Sequence, residues 1–339
     1  MIEIDCSYLE GGDQILRTAL SLSTTSRKPC RVFNILKDKE KPGLEPQHLL
    51  ELQTLAELND AELEGDFLGS EEIKFYPGEI KNKDLHIKIE SAGSIALVLQ
   101  TLIPPALFVP QTLKITFDGG STDTFFSPTI DYFRYIFLKN LEKIDGKIEI
   151  NILKRGYYPE GGAKVEVKIS PSKLKNINLT ERGVLKKISV ISGASNILKE
   201  KKVAEHQAAG AREVLGKLKL PIEEKIEYYD TFCPGSQICL IAEFENTIIG
   251  TDSLGKLGKR AEDVGKEAAL ELLKEEKSRA CLDKYSAGQI LSYLALCPGK
   301  SQITVSEITN HCKANIWVIE KFLEGRFKVK DNLITWNPL

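Results

Sequence analysis

The chain has 339 residues, 46 Lys plus Arg against 48 Asp plus Glu, a formal net charge of −2 and four histidines. That length can bury ample core and points to two domains. The near-balance of charge excludes a global attraction for nucleic acid or membrane, so any phosphate binding has to be local.

The first unit reads strand 2–6, helix 13–22, strand 31–35, helix 46–58 and two further strand-like runs, the order βαβαββ. Residues 85–170 repeat it with strand 86–90, helix 94–107 limited by Pro104-Pro105, strand 112–117, helix 128–141 and strands 147–153 and 163–169. The rhythm then changes. From about 182 to 276 the pattern is strand 187–192, helix 202–218, strands 225–229 and 236–244 and helix 261–273, a βαββα module. A third unit is expected to begin near Ala280, with helix 287–296, strand 301–305, helix 314–322 and strands near Phe327 and Leu333. The expected class is therefore α/β, more closely α+β: three repeated βαβαββ units form a large domain (1–181 and 277–339), and 182–276 is a smaller inserted domain. No apolar run reaches membrane-spanning length, and the start lacks a basic region followed by an apolar one, so a cytoplasmic protein is expected.

Three stretches share one pattern. Gly12-Asp13-Gln14-Ile15-Leu16, Gly93-Ser94-Ile95-Ala96-Leu97 and Gly288-Gln289-Ile290-Leu291 each set a glycine ahead of an apolar helix-like run. Free N–H groups at such helix starts attract anions, so three of them brought together would frame a phosphate site.

Seven cysteines, an odd number without a C-x-x-C pair, argue against a zinc cluster and a complete disulfide framework. Small buried residues are the expectation. One bridge between Cys233 and Cys239, across Pro234-Gly235-Ser236, stays open.

Among the histidines, His86 on an alternating strand and His206 on a charged helix face read as solvated residues, while His48 near a helix start can bind phosphate or merely cap. His311 lies in the polar run Asn310-His311-Cys312-Lys313-Ala314-Asn315, read as a loop leading into the third unit's second helix. A loop histidine can be functional or ordinary surface. Glu10-Gly11-Gly12 echoes Glu160-Gly161-Gly162; a carboxylate beside two glycines can hold a hydrated Mg²⁺ near phosphate or sit in a tight turn. Arg17, one turn beyond Gln14, can pair with phosphate or with a neighbouring carboxylate. Lys37, Lys39 and Lys41 make a charge run of the kind that is usually solvated.

Tyr8-Leu9-Glu10-Gly11-Gly12-Asp13-Gln14-Ile15-Leu16-Arg17, Lys41-Pro42-Gly43-Leu44 with Gln47-His48-Leu49, Ser91-Ala92-Gly93-Ser94 with Leu99-Gln100-Thr101, Arg155-Gly156-Tyr157-Tyr158-Pro159-Glu160-Gly161-Gly162 and the Asn315-Ile316 segment after His311 together resemble the RNA 3′-terminal phosphate cyclases. The resemblance spans essentially the whole chain. It implies a large domain of three repeats with a small thioredoxin-like insertion, and an ATP-dependent conversion of an RNA 3′-terminal phosphate to a 2′,3′-cyclic phosphate through a histidine–AMP intermediate and an RNA adenylate. His311 matches the family's nucleophile and Glu10 its acid for Mg²⁺ or Mn²⁺. Gln100, Pro128 and Lys284, Tyr285, Ser286, Ala287, Gly288 and Gln289 match ATP-binding positions, with Tyr285 placed to stack on adenine. Arg17, Lys39 and Gln47 match positions near the reacting phosphates. The implied partner is RNA with a 3′-terminal phosphate, with no membrane involved, and an oligomer is compatible with it.

The departures lie at Asp13 and Ala163, where the family usually has a third glycine, and at Ala287-Gly288-Gln289, where it usually has Ala-Asp-Gln. Leu36 and Lys39 stand where family arginines precede the Pro-Gly turn, which weakens bidentate phosphate binding. Gly120-Ser121-Thr122-Asp123 replaces the usual Gly-Gly-Thr-Asp. The alternative is a catalytically silent cyclase-like protein that binds RNA or acts in ribosome assembly. Silent relatives lose the histidine, and His311 is retained.

Overall fold

One strand-pairing rule governs the four-stranded sheets of the three repeated units, though not that of the inserted segment, in the computed structural model, which describes every residue except Gly11, Asn82 and the side chain of Glu10. A first strand pairs parallel with a second, the second antiparallel with a fourth, and the fourth antiparallel with a third. The first unit follows it with β1 (Ile2–Asp5), α1 (Gly12–Ser26), β2 (Cys30–Phe33), α2 (Pro46–Asn59), β3 (Glu62–Glu64) and β4 (Glu72–Tyr76), in sheet order β1-β2-β4-β3. The second uses β5 (Leu85–Ser94), α3 (Ile95–Ala106), β6 (Leu113–Ser121), α4 (Ile130–Tyr132) running through a π-helical turn Phe133–Phe137 into α5 (Leu138–Glu142), β7 (Lys147–Lys154) and β8 (Lys164–Ser170), in order β5-β6-β8-β7.

The third unit does not begin near Ala280. Its first strand is β9 (Asn178–Leu179), which lies ahead of the inserted segment and pairs parallel with the distant strand over Ser301–Thr304. The insertion thus enters between the first strand and first helix of the third unit. It comprises β10 (Leu185–Ser195), α6 (Val203–Leu215), β11 (Ile222–Tyr229), β12 (Ser236–Phe244), β13 (Ile248–Leu254) and α7 (Ala261–Lys277). The order is βαβββα, with β13 an addition to the expected pattern: it pairs antiparallel with β12 after the short turn at Glu245-Asn246. The third unit then completes itself with α8 (Lys284–Leu296), β14 (Ser301–Thr304), α9 (Asn310–Phe322), β15 (Gly325–Lys330) and β16 (Leu333–Pro338).

A continuous apolar core joins the three units, with Ile15, Leu16, Leu99, Leu102, Leu291 and Val318 contributed by α1, α3, α8 and α9. Burying each such side chain is worth roughly 1.5–3 kcal/mol. The inserted segment has a core of its own from Ile188, Val190, Ala208, Leu240, Val264 and Leu272. A smaller cluster of Tyr132, Ile136, Ile191, Cys239 and Ile241 joins the π-helical turn to the inserted sheet. All seven cysteines are free and buried, so the bridge left open between Cys233 and Cys239 is not made.

Local chemistry sets the helix starts that matter for the site. α2 begins with Pro46 just inside its end, and the Glu45 N–H donates to His48 Nδ1 at 3.1 Å. α3 is capped by Ser94, whose hydroxyl accepts from Leu97 N at 3.3 Å. α8 is capped by Asp283, which accepts from the N–H groups of Tyr285 and Ser286. Gly288 therefore lies inside α8 rather than at its opening, and that helix end already carries a carboxylate. The expected trio of glycine-opened phosphate sites is not formed at α8.

Candidate active site

Along α1, Gln14, Arg17, Thr18 and Ser21 fall at helical spacing on one stripe of a largely buried helix. The stripe faces Gln100 of α3, Gly288, Gln289, Ser292 and Tyr293 of α8 and Asn315 of α9 across a narrow cleft. Arg17 Nε and Nη1, Ser21 Oγ, Gln289 Oε1 and Tyr293 OH are buried there without a protein partner. Buried polar groups are ordinarily paired, and each one left unpaired costs about 1–3 kcal/mol. Donors and acceptors gathered around one cleft, with a guanidinium among them, suit a polar anionic ligand.

His311 stands beside this cleft. It is the second residue of α9, whose cap Thr309 accepts from Cys312 N at 3.1 Å, and so belongs to the first helical turn rather than to the expected loop. The polar residues 310–313 hide the helix start from a pattern reading. A Cβ placed on Gly288 would lie 3.9 Å from His311 Cβ. Burial lowers the His311 pKa below the usual 6.5, Arg17 pushes the same way and Asp13 opposes them. The ring is therefore neutral near pH 7, with a lone pair free for attack, at the positive end of a helix.

Asn315, one turn further along α9, fixes that end. Its Nδ2 donates to the Gly288 carbonyl at 2.8 Å, and its Oδ1 accepts from Thr18 Oγ1 at 2.8 Å.

A second group supports the start of α1. His48 is buried, and its Nδ1 is taken by the Glu45 N–H, so its Nε2 carries the proton that faces Asp13 Oδ1 at 3.4 Å. His48 is thus a cap and a tether for Asp13. Burial raises the Asp13 pKa, but His48, Arg17 and Lys39 outweigh it and hold the group at about 2. Arg17 Nη1 lies 3.9 Å from Glu51 Oε2, too far for a hydrogen bond. Burial pushes the Glu51 pKa up. Gln47 is occupied: its Oε1 accepts from Ser94 N at 2.9 Å and its Nε2 donates to Glu51 Oε1 at 2.8 Å.

At the start of α8 the surroundings differ. Tyr285 is half exposed, its ring edge-on to Tyr132 at 6.3 Å. Lys284 lies over the Tyr285 ring and pairs with Glu271. The Tyr132 hydroxyl donates to Asp283 Oδ1 at 2.5 Å and meets Ser286 Oγ at 2.8 Å. Behind them, Arg155 grips Asp131 with two bonds of 2.6 and 2.7 Å and Asp123 with one of 3.0 Å. Thr129 N donates to Asp252 of β13 at 2.7 Å, so this buried network joins the second unit, α8 and the inserted segment.

Of the residues singled out from the sequence, Arg17, Gln100, Gly288 and Gln289 line the cleft and His311 adjoins it. Tyr285 and Lys284 lie at the start of α8, while the Ser286 hydroxyl is engaged by its neighbours and Ala287 is fully buried core. Pro128 is half-buried in the loop leading to α4, and Lys39 is exposed on the loop after β2. The Glu10 side chain lies outside the described residues. Among the described residues no three His, Cys, Asp or Glu side chains gather to hold a metal ion, and no helix is long and apolar enough to cross a membrane. Sequence reasoning passed over Ser21, Tyr293 and Glu51. Ser21 was findable as the polar position one helical turn beyond Arg17 on α1.

A family model described as RNA 3′-terminal phosphate cyclase matches residues 8–329. An RNA 3′-terminal phosphate cyclase of Pyrococcus furiosus is 44% identical over 331 residues, covering 97% of this chain and 95% of its own. One of Pyrobaculum aerophilum is 43% identical over 333 residues, with coverage of 97% and 95%. One of Sulfurisphaera tokodaii is 42% identical over 335 residues, with coverage of 97% and 96%.

Proposed function

The chain belongs to the RNA 3′-terminal phosphate cyclase family, and from that membership we propose that it is an ATP-dependent enzyme converting an RNA 3′-terminal phosphate to a 2′,3′-cyclic phosphate by way of His311. The observation that carries the reading is the neutral imidazole at the start of α9 beside a cleft whose arginine, serine, glutamine and tyrosine have unpaired buried atoms.

In the first step a ring nitrogen of His311 forms a bond to the α-phosphorus of ATP while the bond to the bridging oxygen breaks and pyrophosphate leaves. Arg17, with two unpaired guanidinium nitrogens, and Gln289 and Gln100 would hold the phosphates. Tyr285 and Pro128 would flank the adenine. In the second step an oxygen of the RNA 3′-phosphate takes the adenylyl group from His311. In the third the neighbouring 2′-hydroxyl attacks that 3′-phosphorus, loses its proton and expels AMP. A DNA end lacks the 2′-hydroxyl and cannot close the ring.

Mg²⁺ or Mn²⁺ accompanying a triphosphate takes much of its coordination from phosphate oxygens and water and needs one or two protein carboxylates. Asp13, ionised down to about pH 2 beside Arg17, fits as one such donor. Glu10 is the other proposed ligand, matching the family's acid. When bound, the metal would neutralise triphosphate charge.

The same reading treats 182–276 as an inserted domain, supported by its separate core. It also places the enzyme in the cytoplasm, where ATP and RNA ends meet. Incubation with α-labelled ATP and a divalent metal tests it. The protein should acquire a covalent, acid-labile and alkali-stable AMP, His311→Ala should abolish both the adduct and cyclisation, and His48→Ala should keep the adduct. A wild-type protein that forms none would favour the silent RNA-binding alternative.

A further inference from the structure

Four exposed aromatic residues lie on two loops of the second unit and one loop of the inserted segment. Phe125 and Phe126 lie on the loop between β6 and α4, Tyr158 on the loop after β7, and Phe232 on the loop between β11 and β12. Their exposures are 42%, 104%, 56% and 60%. Phe125 meets Tyr158 edge-on at 6.0 Å, which leaves ring faces free. Phe232 lies against the backbone of Gly162, where an added Cβ would come within 2.2 Å of the ring. Lys154 Nζ stands 3.7 Å from the Phe232 centroid and brings a cation to the patch. Phe126 has φ of 61°, an unusual conformation for a bulky residue, and it presents a wholly exposed ring. Backbone strain combined with an exposed apolar ring is a feature that function can explain and packing does not.

We propose that Phe125, Phe126, Tyr158 and Phe232, together with Lys154, form a stacking platform for the unpaired bases of single-stranded RNA upstream of the 3′ end. The proposal rests on the cyclase reading for the identity of the RNA. The chemistry of the patch favours this occupant. Every base offers a π-face to a ring, whereas a lysine beside the rings suits the phosphate backbone. With a net charge of −2 the chain has no general attraction for RNA, so its grip must come from local contacts of this kind. The position also fits. The loop carrying Phe125 and Phe126 continues through Pro128 into α4, whose Tyr132 is bonded to Asp283 at the cap of α8 and lies edge-on to Tyr285. The platform and the proposed adenine end of the cleft thus share one junction.

The test is fluorescence anisotropy with a short labelled oligoribonucleotide ending in a 3′-phosphate, without ATP. Phe126→Ala should weaken binding about tenfold, and the triple change Phe125→Ala, Phe126→Ala, Phe232→Ala by at least a further tenfold. Wild-type protein should lose a similar factor on an oligonucleotide made abasic at the upstream positions. Self-adenylation of Phe126→Ala should match wild type, showing that the fold and cleft are intact. Equal affinities for wild type and variants, or for normal and abasic RNA, would overturn the proposal. So would variants that change only the sedimentation of the protein, which would make the patch an interface between copies. If affinity follows the rings but no adenylate forms, the platform stands and the cyclase reading fails.

Discussion

Asn315 joins three helices through one carboxamide, donating to the Gly288 carbonyl in α8 and accepting from Thr18 in α1, each at 2.8 Å. His311 lies one turn away on the same helix, so its distance from the cleft depends on this side chain. Asn315→Ala would remove the acceptor of the Thr18 hydroxyl, which keeps only the bond from Gln14 Nε2 at 3.2 Å, and one donor to the Gly288 carbonyl, at a cost of about 1–3 kcal/mol. In the proposed mechanism the adenylation rate should fall more than the affinity for ATP, because the nucleophile is displaced while the phosphate-binding groups remain. Urea unfolding and single-turnover adenylation measure the two effects, and a variant that binds ATP weakly but reacts at the normal rate would oppose this role.

The pH profile of adenylation should carry the signature of His311. Burial, with Arg17 adding to it, lowers the pKa below 6.5, and only the neutral ring attacks. The rate should fall as pH is lowered, with its midpoint below 6.5. Arg17→Met removes a positive charge and should move the midpoint upward, alongside any loss in phosphate binding. A wild-type midpoint above 6.5 would show that another group limits the step.

Gly288 is a helix-interior glycine with room to spare. A Cβ there would find Asn315 Nδ2 at 3.8 Å and Cys312 Sγ and His311 Cβ at 3.9 Å, all ordinary contacts. Gly288→Ala should therefore stabilise the fold by about 0.5–1 kcal/mol, the usual helix penalty of glycine. Calorimetry that showed a loss of that size would mean the helix needs the space.

Arg155 is a buried cation shared between Asp131 and Asp123. Arg155→Met would strand two buried carboxylates and should destabilise the protein by about 3–5 kcal/mol near neutral pH. Burial already raises the Asp123 pKa, so acid neutralises that carboxylate and the deficit in denaturant midpoint should shrink as pH falls. The Arg155 guanidinium also lies 4.6 Å from the centroid of the Tyr229 ring, and a deficit independent of pH would point to that lost packing instead.

Burial raises Asp252 from 3.8 to about 6. Between those values the folded protein holds a proton that the unfolded chain has released, so the stability conferred is complete below 3.8 and is lost as pH rises through about 6. Asp252→Asn retains an acceptor for Thr129 N and removes the charge. At pH 8 the variant should be more stable by roughly 3 kcal/mol, with the difference vanishing in acid below the unfolded pKa. Thermal melts across that range check it, and a variant less stable at pH 8 would show that the carboxylate charge is needed.

Much of the repeat structure was legible because its helices are long and their apolar faces are periodic. The element that escaped, Asn178–Leu179, is two residues long and finds its partner only after the insertion, so no local pattern marks it. The hairpin partner Ile248–Leu254 was missed because Gly250 and Asp252 interrupt its apolar residues. Arg17 was singled out by its spacing from Gln14 and Gln289 only by the family resemblance, and both line the cleft. Asp283 offered a capping signal that was overlooked in favour of Gly288. Arg155 was visible only as part of a motif, since its partners Asp123 and Asp131 reach it by folding rather than by sequence position.

The split third unit has a consequence for synthesis. Ile177 N donates to Ser301 Oγ across 124 positions, so a chain leaving the ribosome N-terminus first cannot close the third sheet until everything between has emerged. The intervening segment carries its own core and can collapse while it waits. Once folded it draws its two ends together and shortens the effective loop that β9 and β14 must close. A lesion in that segment's core would then delay assembly of the helices around His311 without touching one of them.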